Sequence, residues 1–379
     1  MKLLINNGRI SPLFFSTRGK MLTAITDRNI DVTLSGVQSG CDELIQAFNV
    51  SYESIDIERT GTNLCKDFAL ISRYLRFYRK KQYDVVHSYT VKPNIYGSIA
   101  ARICGIQKIY PTVNGLGYVF TDTGTHTIKQ ELVQRANLFL YWVAFKCSTK
   151  VFFQNSDDAE ELISHHVIPH EKCVLIPGSG IDLNRFAFCP IRNNNVFLFA
   201  SRLLLTKGIQ TFMEAAKRTK KEYPEARFLI AGGLLDHPDG LKESDLLKAV
   251  EEGYVEYLGH VDDMPAQLTE CSAFVLPSYY REGVPHAILE AMSIGRPIIT
   301  CNSPGCRETV SAPDENGRGK NGFVIDPKDS NALYEDMKWL LNHPDEVVRM
   351  GLESRRYAEE KFDVEIVNSI MMTEMRLNS

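Results

Sequence analysis

Two glutamates eight positions apart, Glu282 and Glu290, bracket a segment suited to meeting an anion: Tyr279-Tyr280-Arg281-Glu282-Gly283-Val284-Pro285-His286-Ala287-Ile288-Leu289-Glu290. The apolar run from Ala273 to Ser278 leads into it as a strand end. Gly283 frees the backbone, Pro285 suits the first turn of a helix, and Glu290 falls on that helix. A helix start presents unpaired N–H groups and a positive dipole end to a phosphate. The carboxylates would repel that phosphate at close range and are better suited to hydroxyl groups. A diphosphate joined to hydroxyls describes a nucleotide sugar. Such spacing also arises as plain acidic decoration in α/β proteins, so the neighbouring loops must decide.

Those neighbours add cations and glycines. After the apolar run Phe197–Ala200 comes Ser201-Arg202-Leu203-Leu204-Leu205-Thr206-Lys207-Gly208, which sets two cations in one loop at a helix start. Arginine can grip a diphosphate by a forked contact and lysine as a point charge. Gly232-Gly233 follows Phe228–Ala231, and Gly259-His260-Val261-Asp262-Asp263 follows Val255–Leu258. In parallel sheets ligands sit at the carboxyl ends of strands, and every one of these loops is at such an end.

The elements that must position them alternate strand and helix. In the first half, strands are expected at Lys2–Ile5, Asp31–Leu34, Val85–His87, Lys108–Val113 and Lys150–Gln154, with helices near 17–29, 64–81, 93–104 and 127–147. Gly105 is placed to end one helix and Ser156, followed by two aspartates, to start another. In the second half, strands are expected at Val196–Ala200, Ala226–Ala231, Val255–Leu258, Ala273–Pro277, Pro297–Thr300 and Gly322–Ile325. Helices there are expected at 207–221, 242–252, 263–271, 285–294 and 330–342. The alternation implies parallel sheets covered on both faces. A chain of 379 residues exceeds what one core organises, so two domains are expected, 1–190 and 191–364, with the polar Arg192–Asn195 as linker.

Composition narrows the class. Apolar residues make up 44% of the chain, enough for ordinary cores, and no apolar run approaches the roughly 20 residues of a membrane span. Met1–Asn7 reads as a first buried strand, its apolar run being too short for a signal-peptide core. Nine scattered cysteines, an odd count without metal-ligand pairing, favour reduced thiols and a cytoplasmic location. Residues 1–150 hold 19 Lys and Arg against 11 Asp and Glu, +8, so the rest of the −4 chain carries −12. The excess concentrates in Arg73-Tyr74-Leu75-Arg76-Phe77-Tyr78-Arg79-Lys80-Lys81, a helical mix of cations and aromatics that suits an anionic membrane surface or a lipid diphosphate. Its alternative is a solvated helix whose aromatics enter the core. Nothing resembles a nucleic-acid module, so no nucleic-acid partner is expected.

The sequence resembles retaining glycosyltransferases of the GT-B fold, in the large family 4, over nearly its whole length. The resemblance rests on Gly178-Ser179-Gly180-Ile181-Asp182 with Phe186, on Arg202 and Lys207, on Gly259-His260-Val261, and on Glu282 through Glu290. It implies an α/β architecture of two Rossmann-like domains facing a central cleft, with a C-terminal helix, about 365–377, crossing back to the first domain. Arg202 and Lys207 would then hold the donor diphosphate, and backbone amides of Val284, His286 and Ala287 would contact its distal phosphate. Glu290 would bind ribose hydroxyls, Glu282 would bind sugar hydroxyls or, in a catalytic role, act as a base, and Gly259 and Val261 would lie by the nucleotide base. Two cations and a helix end can neutralise a diphosphate, so no metal or other cofactor is expected.

Val86-His87-Ser88-Tyr89-Thr90-Val91-Lys92-Pro93-Asn94 and Thr112-Val113-Asn114-Gly115-Leu116-Gly117 resemble bacterial enzymes that extend undecaprenyl-diphosphate-linked saccharides, including α-1,3-N-acetylgalactosaminyltransferases of glycan and O-antigen assembly. His87, Lys92, Asn114 and Gly115 would lie on the acceptor side. Asn114 stands where many members carry a histidine, and Asn7-Gly8-Arg9 replaces the family's paired glycines. The implied activity is retaining transfer of a sugar, such as N-acetylgalactosamine, from a UDP-sugar to a lipid-linked saccharide. It would take place at the inner face of the cytoplasmic membrane. A soluble-acceptor transferase, a UDP-sugar epimerase and a non-catalytic nucleotide-sugar-binding paralogue stay open beside it.

Overall fold

The computed structural model describes residues 1–57, 64–121, 128–192 and 194–377. Two compact units emerge. The first comprises Met1–Val119, His126–Gly180 and Val364–Ser379, and the second Phe120–Thr125 and Ile181–Asp363.

The first unit is a seven-stranded sheet with every pairing parallel, in the order β3-β2-β1-β4-β5-β6-β7. Its strands are β1 (Lys2–Ile10), β2 (Asp31–Gln38), β3 (Ser51–Ser54), β4 (Val85–Tyr89), β5 (Lys108–Val113), β6 (Val151–Phe153) and β7 (Cys173–Leu175). Crossovers run through α1 (Pro12–Thr26), α2 (Asp42–Ala47), α3 (Leu64–Lys81), α4 (Ser98–Ile103), α5 (Ile128–Cys147) and α6 (Ser156–Ser164). A π-helical turn, Pro93–Gly97, precedes α4 and is wholly buried. The second unit is a six-stranded sheet, again all parallel, ordered β10-β9-β8-β11-β12-β13. It consists of β8 (Val196–Ala200), α7 (Ile209–Glu222), β9 (Arg227–Ala231), α8 (Glu243–Glu251), β10 (Glu256–Gly259), α9 (Met264–Glu270), β11 (Ala273–Leu276), α10 (His286–Ile294), β12 (Ile298–Cys301), β13 (Gly322–Ile325), α11 (Ser330–Asn342) and α12 (Pro344–Tyr357). The last helix, α13 (Val364–Glu374), packs on α1 of the first unit, and Met371, Met372 and Met375 join that unit's core.

Several expectations shift. Helix α1 starts at Pro12 rather than 17, because Ser11-Pro12 supplies an extended residue and then a ring preset for the first turn. Asn155, not Ser156, caps α6, its side-chain oxygen accepting the Asp158 N–H at 2.8 Å. The expected loop Asn7-Gly8-Arg9 is strand: β1 runs on to Ile10 with a register irregularity between Asn6 and Arg9. The edge strands β3 and β7 are additional to those expected: both are short and only half covered, and Ser51–Ser54 carries no apolar run. On α3 the aromatics part from the cations: Tyr74 and Tyr78 are fully buried, while Arg73, Arg76, Arg79 and Lys80 face outward.

The division between units falls at Gly180–Ile181 rather than 190–191, and Asn193 of the expected linker lies outside the described residues. Two arginines bind residues 183–189 to the second unit. Arg296, fully buried, donates to the carbonyls of Cys189 at 2.7 Å, Leu268 at 2.7 Å and Thr269 at 2.8 Å. Arg355 donates to Ser293 and Phe186 carbonyls at 2.8 and 3.2 Å. A buried guanidinium needs its donors satisfied, and here backbone carbonyls satisfy them.

Candidate active site

Strand order in the second unit reverses direction between β8 and β11, which lie side by side although separated in sequence by β9 and β10. Crevices form at such switch points, outside the carboxyl ends of the strands. The loop after β8 carries Arg202 and Lys207, and the loop after β11 carries Glu282. The fold therefore brings together residues that are 75 positions apart.

Lys207 Nζ and Glu282 Oε1 form an ion pair, with side chains only 7% and 19% exposed. Ser278 Oγ donates to the same carboxylate oxygen at 3.1 Å, and Lys207 Nζ stands 5.3 Å from the centre of the Tyr280 ring. Arg202 is exposed on the same loop, and among the described residues its guanidinium makes no ion pair. Glu290 Oε1 is 3.0 Å from His286 Nδ1 one turn earlier on α10, both side chains about one-fifth exposed or less. No side chain caps α10, whose N-cap is Pro285, so the amides of His286 and Ala287 keep the open donors of a helix start.

The loops are held by close backbone approach. Gly208 sits at φ +79°, where a Cβ would lie 2.1 Å from the Pro277 carbonyl oxygen, so only glycine lets Lys207 come this near β11. Gly305, at φ +76°, likewise lets the loop after β12 rest on the Gly283 carbonyl, 1.9 Å from where its Cβ would be. Ser303 Oγ donates to the Ser278 carbonyl at 2.6 Å. Gly259, at the end of β10, accepts the Gly232 N–H at 2.7 Å, with Val261 half-buried beyond it.

Asp239 is the part that no sequence pattern announced. Its carboxylate accepts from the hydroxyl of Thr206 and, at 3.2 Å, from the Thr206 N–H, while its own carbonyl accepts the Leu205 N–H at 2.8 Å. The Thr206 carbonyl in turn accepts the N–H groups of Tyr279 and Tyr280 at 2.9 and 3.0 Å. Asp239 thus fixes the loop immediately before Lys207, and that loop fixes the one leading to Glu282. Burial, with the Glu282 charge adding, pushes the Cys306 thiol up to about 11.

In the first unit the residues assigned to an acceptor separate. His87 is fully buried on β4, its Nε2 2.8 Å from Thr112 Oγ1, and Lys92 is paired with Asp67 at 2.8 Å. His87 has no exposed surface, and the Lys92 side chain is 13% exposed. Asn114 and Gly115 do follow the carboxyl end of β5, and Asn114 Oδ1 accepts from Gln154, which also donates to Ser179 Oγ at 3.1 Å. Arg18 completes this chain by donating to the Ser179 carbonyl at 3.4 Å while lying 4.6 Å over the Tyr89 ring. Among the described residues, no group of three or more His, Cys, Asp or Glu side chains has a metal-ligand arrangement.

Two parallel doubly wound sheets, one with a buried ion pair at its switch point, place the chain among the Rossmann-like α/β proteins. Residues 182–357 match the family model "Glycosyl transferases group 1" and residues 12–155 the model "Glycosyl transferase 4-like". The sequence is 31% identical over 308 residues, 74% of each chain, to UDP-Gal:alpha-D-GlcNAc-diphosphoundecaprenol alpha-1,3-galactosyltransferase of Escherichia coli. It is 28% identical over 354 residues, 88% of each chain, to N,N'-diacetylbacillosaminyl-diphospho-undecaprenol alpha-1,3-N-acetylgalactosaminyltransferase of Campylobacter jejuni. The chain belongs to the group 1 (4-like) glycosyltransferase family and is a glycosyltransferase. The fold is likewise that of Anabaena HepE in complex with UDP and glucose, at 19% identity, TM-score 0.77 and 99% coverage of both chains. The GT-B class expected from the sequence is the class found.

Proposed function

We propose that the protein is a retaining glycosyltransferase that moves an N-acetylhexosamine, such as N-acetylgalactosamine, from its UDP-sugar to an undecaprenyl-diphosphate-linked saccharide in bacterial surface-glycan assembly. The observation that carries the reading is the Lys207–Glu282 pair at the β8/β11 switch point, with exposed Arg202 on the same loop as Lys207 and an uncapped α10 start following the Glu282 loop. In this reading Lys207, Arg202 and the α10 amides hold the donor diphosphate without a bound metal, Glu290 takes the ribose, and Glu282 orients both Lys207 and a sugar hydroxyl. Gly259 and Val261 flank the base. The lipid-linked acceptor follows the named activities of the two relatives, which differ from each other in the sugar they transfer.

The bond from the anomeric carbon to the β-phosphate oxygen breaks, and the acceptor hydroxyl oxygen bonds to that carbon on the same face. The hydroxyl proton passes to the departing phosphate. Charge gathered on that phosphate is what fixed cations stabilise best, so removing one contact costs roughly 3 kcal/mol of the barrier. Arg202→Ala and Lys207→Ala are expected to cut turnover about a hundredfold or more. The test is a panel of UDP-sugars with a short undecaprenyl-diphosphate-linked acceptor, read by product mass and by the anomeric configuration in NMR. Inverted product, or near-normal turnover in either variant, would sink the assignment.

A further inference from the structure

Helix α5 is apolar on two opposite sides. Its inner side, with Tyr141, Ala144 and Phe145, is buried against the sheet. Its outer side exposes Ile128 by 79%, Leu132 by 61%, Phe139 by 62% and Trp142 by 37%. At 3.6 residues per turn, those four together with exposed Arg135 and Lys146 share an arc of roughly 80° over a length of about 27 Å. One acid, Glu131, lies at its border. Phe139 and Trp142 stack with ring centres 5.8 Å apart, and Lys146 Nζ lies 4.0 Å over the indole. An apolar band whose aromatics and lysine stem are ordered at its edge has the make-up of an interfacial helix, not of a solvated one.

The same layer carries the unit's positive charge. Helices α3 and α5 both pack on the buried π-turn Pro93–Gly97 and on α4. Their crossovers, β3 to β4 and β5 to β6, step the chain the same way along the sheet, which places both helices on one face. From α3 this face receives Lys66, Arg76, Arg79, Lys80 and the 69%-exposed Phe68, while Arg73 is paired with Asp56 at 3.1 Å. We infer that the outer face of α5 is a membrane-docking surface, seated in the headgroup region of an anionic bilayer with the α3 cations beside it. The inference deepens the lipid-linked-acceptor reading and rests on it. A second copy of this chain fits the face poorly, because a two-fold contact would set Arg135, Lys146 and the α3 cations of both copies against one another.

The test is co-sedimentation of the whole protein with phosphatidylcholine vesicles, with and without phosphatidylglycerol. Wild type is expected to bind the anionic vesicles, and the double variant Leu132→Gln/Phe139→Gln to lose at least roughly tenfold in partition. Both side chains are exposed, so the fold is kept, and Leu247→Gln, at a leucine 51% exposed on α8 of the other unit, should bind as wild type does. Arg135→Gln/Lys146→Gln should weaken binding to the anionic vesicles only. Equal partition of wild type and the α5 apolar variant, or a lipid-free dimer that this variant splits, would overturn the inference. Transfer to a short acceptor in detergent separates the two readings. Vesicle binding without transfer removes the proposed reaction and leaves the docking face standing; transfer without vesicle binding does the reverse.

Discussion

Glu282 shows how a residue's task depends on what it touches. A carboxylate beside a departing phosphate would raise its energy if it stood alone. Paired with buried Lys207 and accepting from Ser278, it instead holds the lysine ammonium in place. Glu282→Gln should therefore have two effects. Leaving a buried ammonium without its counter-charge should destabilise the second unit by about 2 kcal/mol or more, visible in urea unfolding, and turnover should fall with it. Collapsed turnover with unchanged stability and donor affinity would point to a proton-transfer role instead. His87 makes the opposite case, a histidine withdrawn from chemistry. Burial, with the Arg18 guanidinium adding, pushes its pKa down to about 3 from the ordinary 6.5. Between those values the unfolded chain binds a proton that the folded chain does not. Its contribution is complete above pH 6.5 and is lost as pH falls toward 3, by at most about 1.4 kcal/mol per pH unit. Urea midpoints taken from pH 7 to pH 5 should fall more steeply for wild type than for His87→Gln; equal slopes would show that another group sets the dependence.

Among the elements, the loop between β8 and α7 matters most. Lys207 is placed by a relay: Asp239 holds Thr206, and the Thr206 carbonyl holds the backbone of Tyr279 and Tyr280. Asp239→Asn keeps the shape but replaces a charge-assisted acceptor with a weaker one. It should raise the donor KM several-fold and lower turnover by about tenfold, consistent with a loss of roughly 1.5 kcal/mol. Thr206→Ser, which retains the hydroxyl, should leave both near wild type. Equal damage from Thr206→Ser would mean that the methyl packing, not the hydrogen bond, sets the loop. The strand ends and the cations of this site were legible because apolar runs followed by glycine and charge mark parallel-strand termini. Asp239 was not, since an aspartate in a polar loop has no pattern until the partner it binds is known.

At the scale of the molecule, besides the short segment Phe120–Thr125, the chain passes between units at two adjoining points, Gly180–Ile181 and Asp363–Val364. Within the second unit Ile181 bridges Asp363, with the Ile181 N–H donating to the Phe362 carbonyl at 2.8 Å. Within the first, Gly180 at φ +74° leaves no room for a Cβ, which would stand 2.5 Å from the Val364 Cα. Gly180→Ala combines left-handed backbone strain with backbone overlap and should cost about 2 kcal/mol or more, lowering the thermal midpoint. An unchanged midpoint would show that both crossings can move apart freely. The Gly178–Asp182 motif that marked the family is thus a junction: Asp182 accepts from Asn184 and Arg185 amides at 3.0 and 3.2 Å to turn the chain.

The sequence by itself determined the alternation of strands and helices, the two sheets, the charge division between the halves, and which residue types crowd the strand ends after β8, β10 and β11. These follow from local periodicity and from glycine and proline placement, which act within a few residues. Only the tertiary structure decided how Glu282 and Glu290 divide their partners. Lys207 reached Glu282 across 75 positions because a parallel sheet changes direction at β8/β11, while Glu290 took His286 from its own helix. It likewise decided that His87 is core, that Tyr74 and Tyr78 of α3 turn inward, and that α5 carries the outward apolar face. Burial is a property of what packs against a side chain, and those neighbours come from distant sequence.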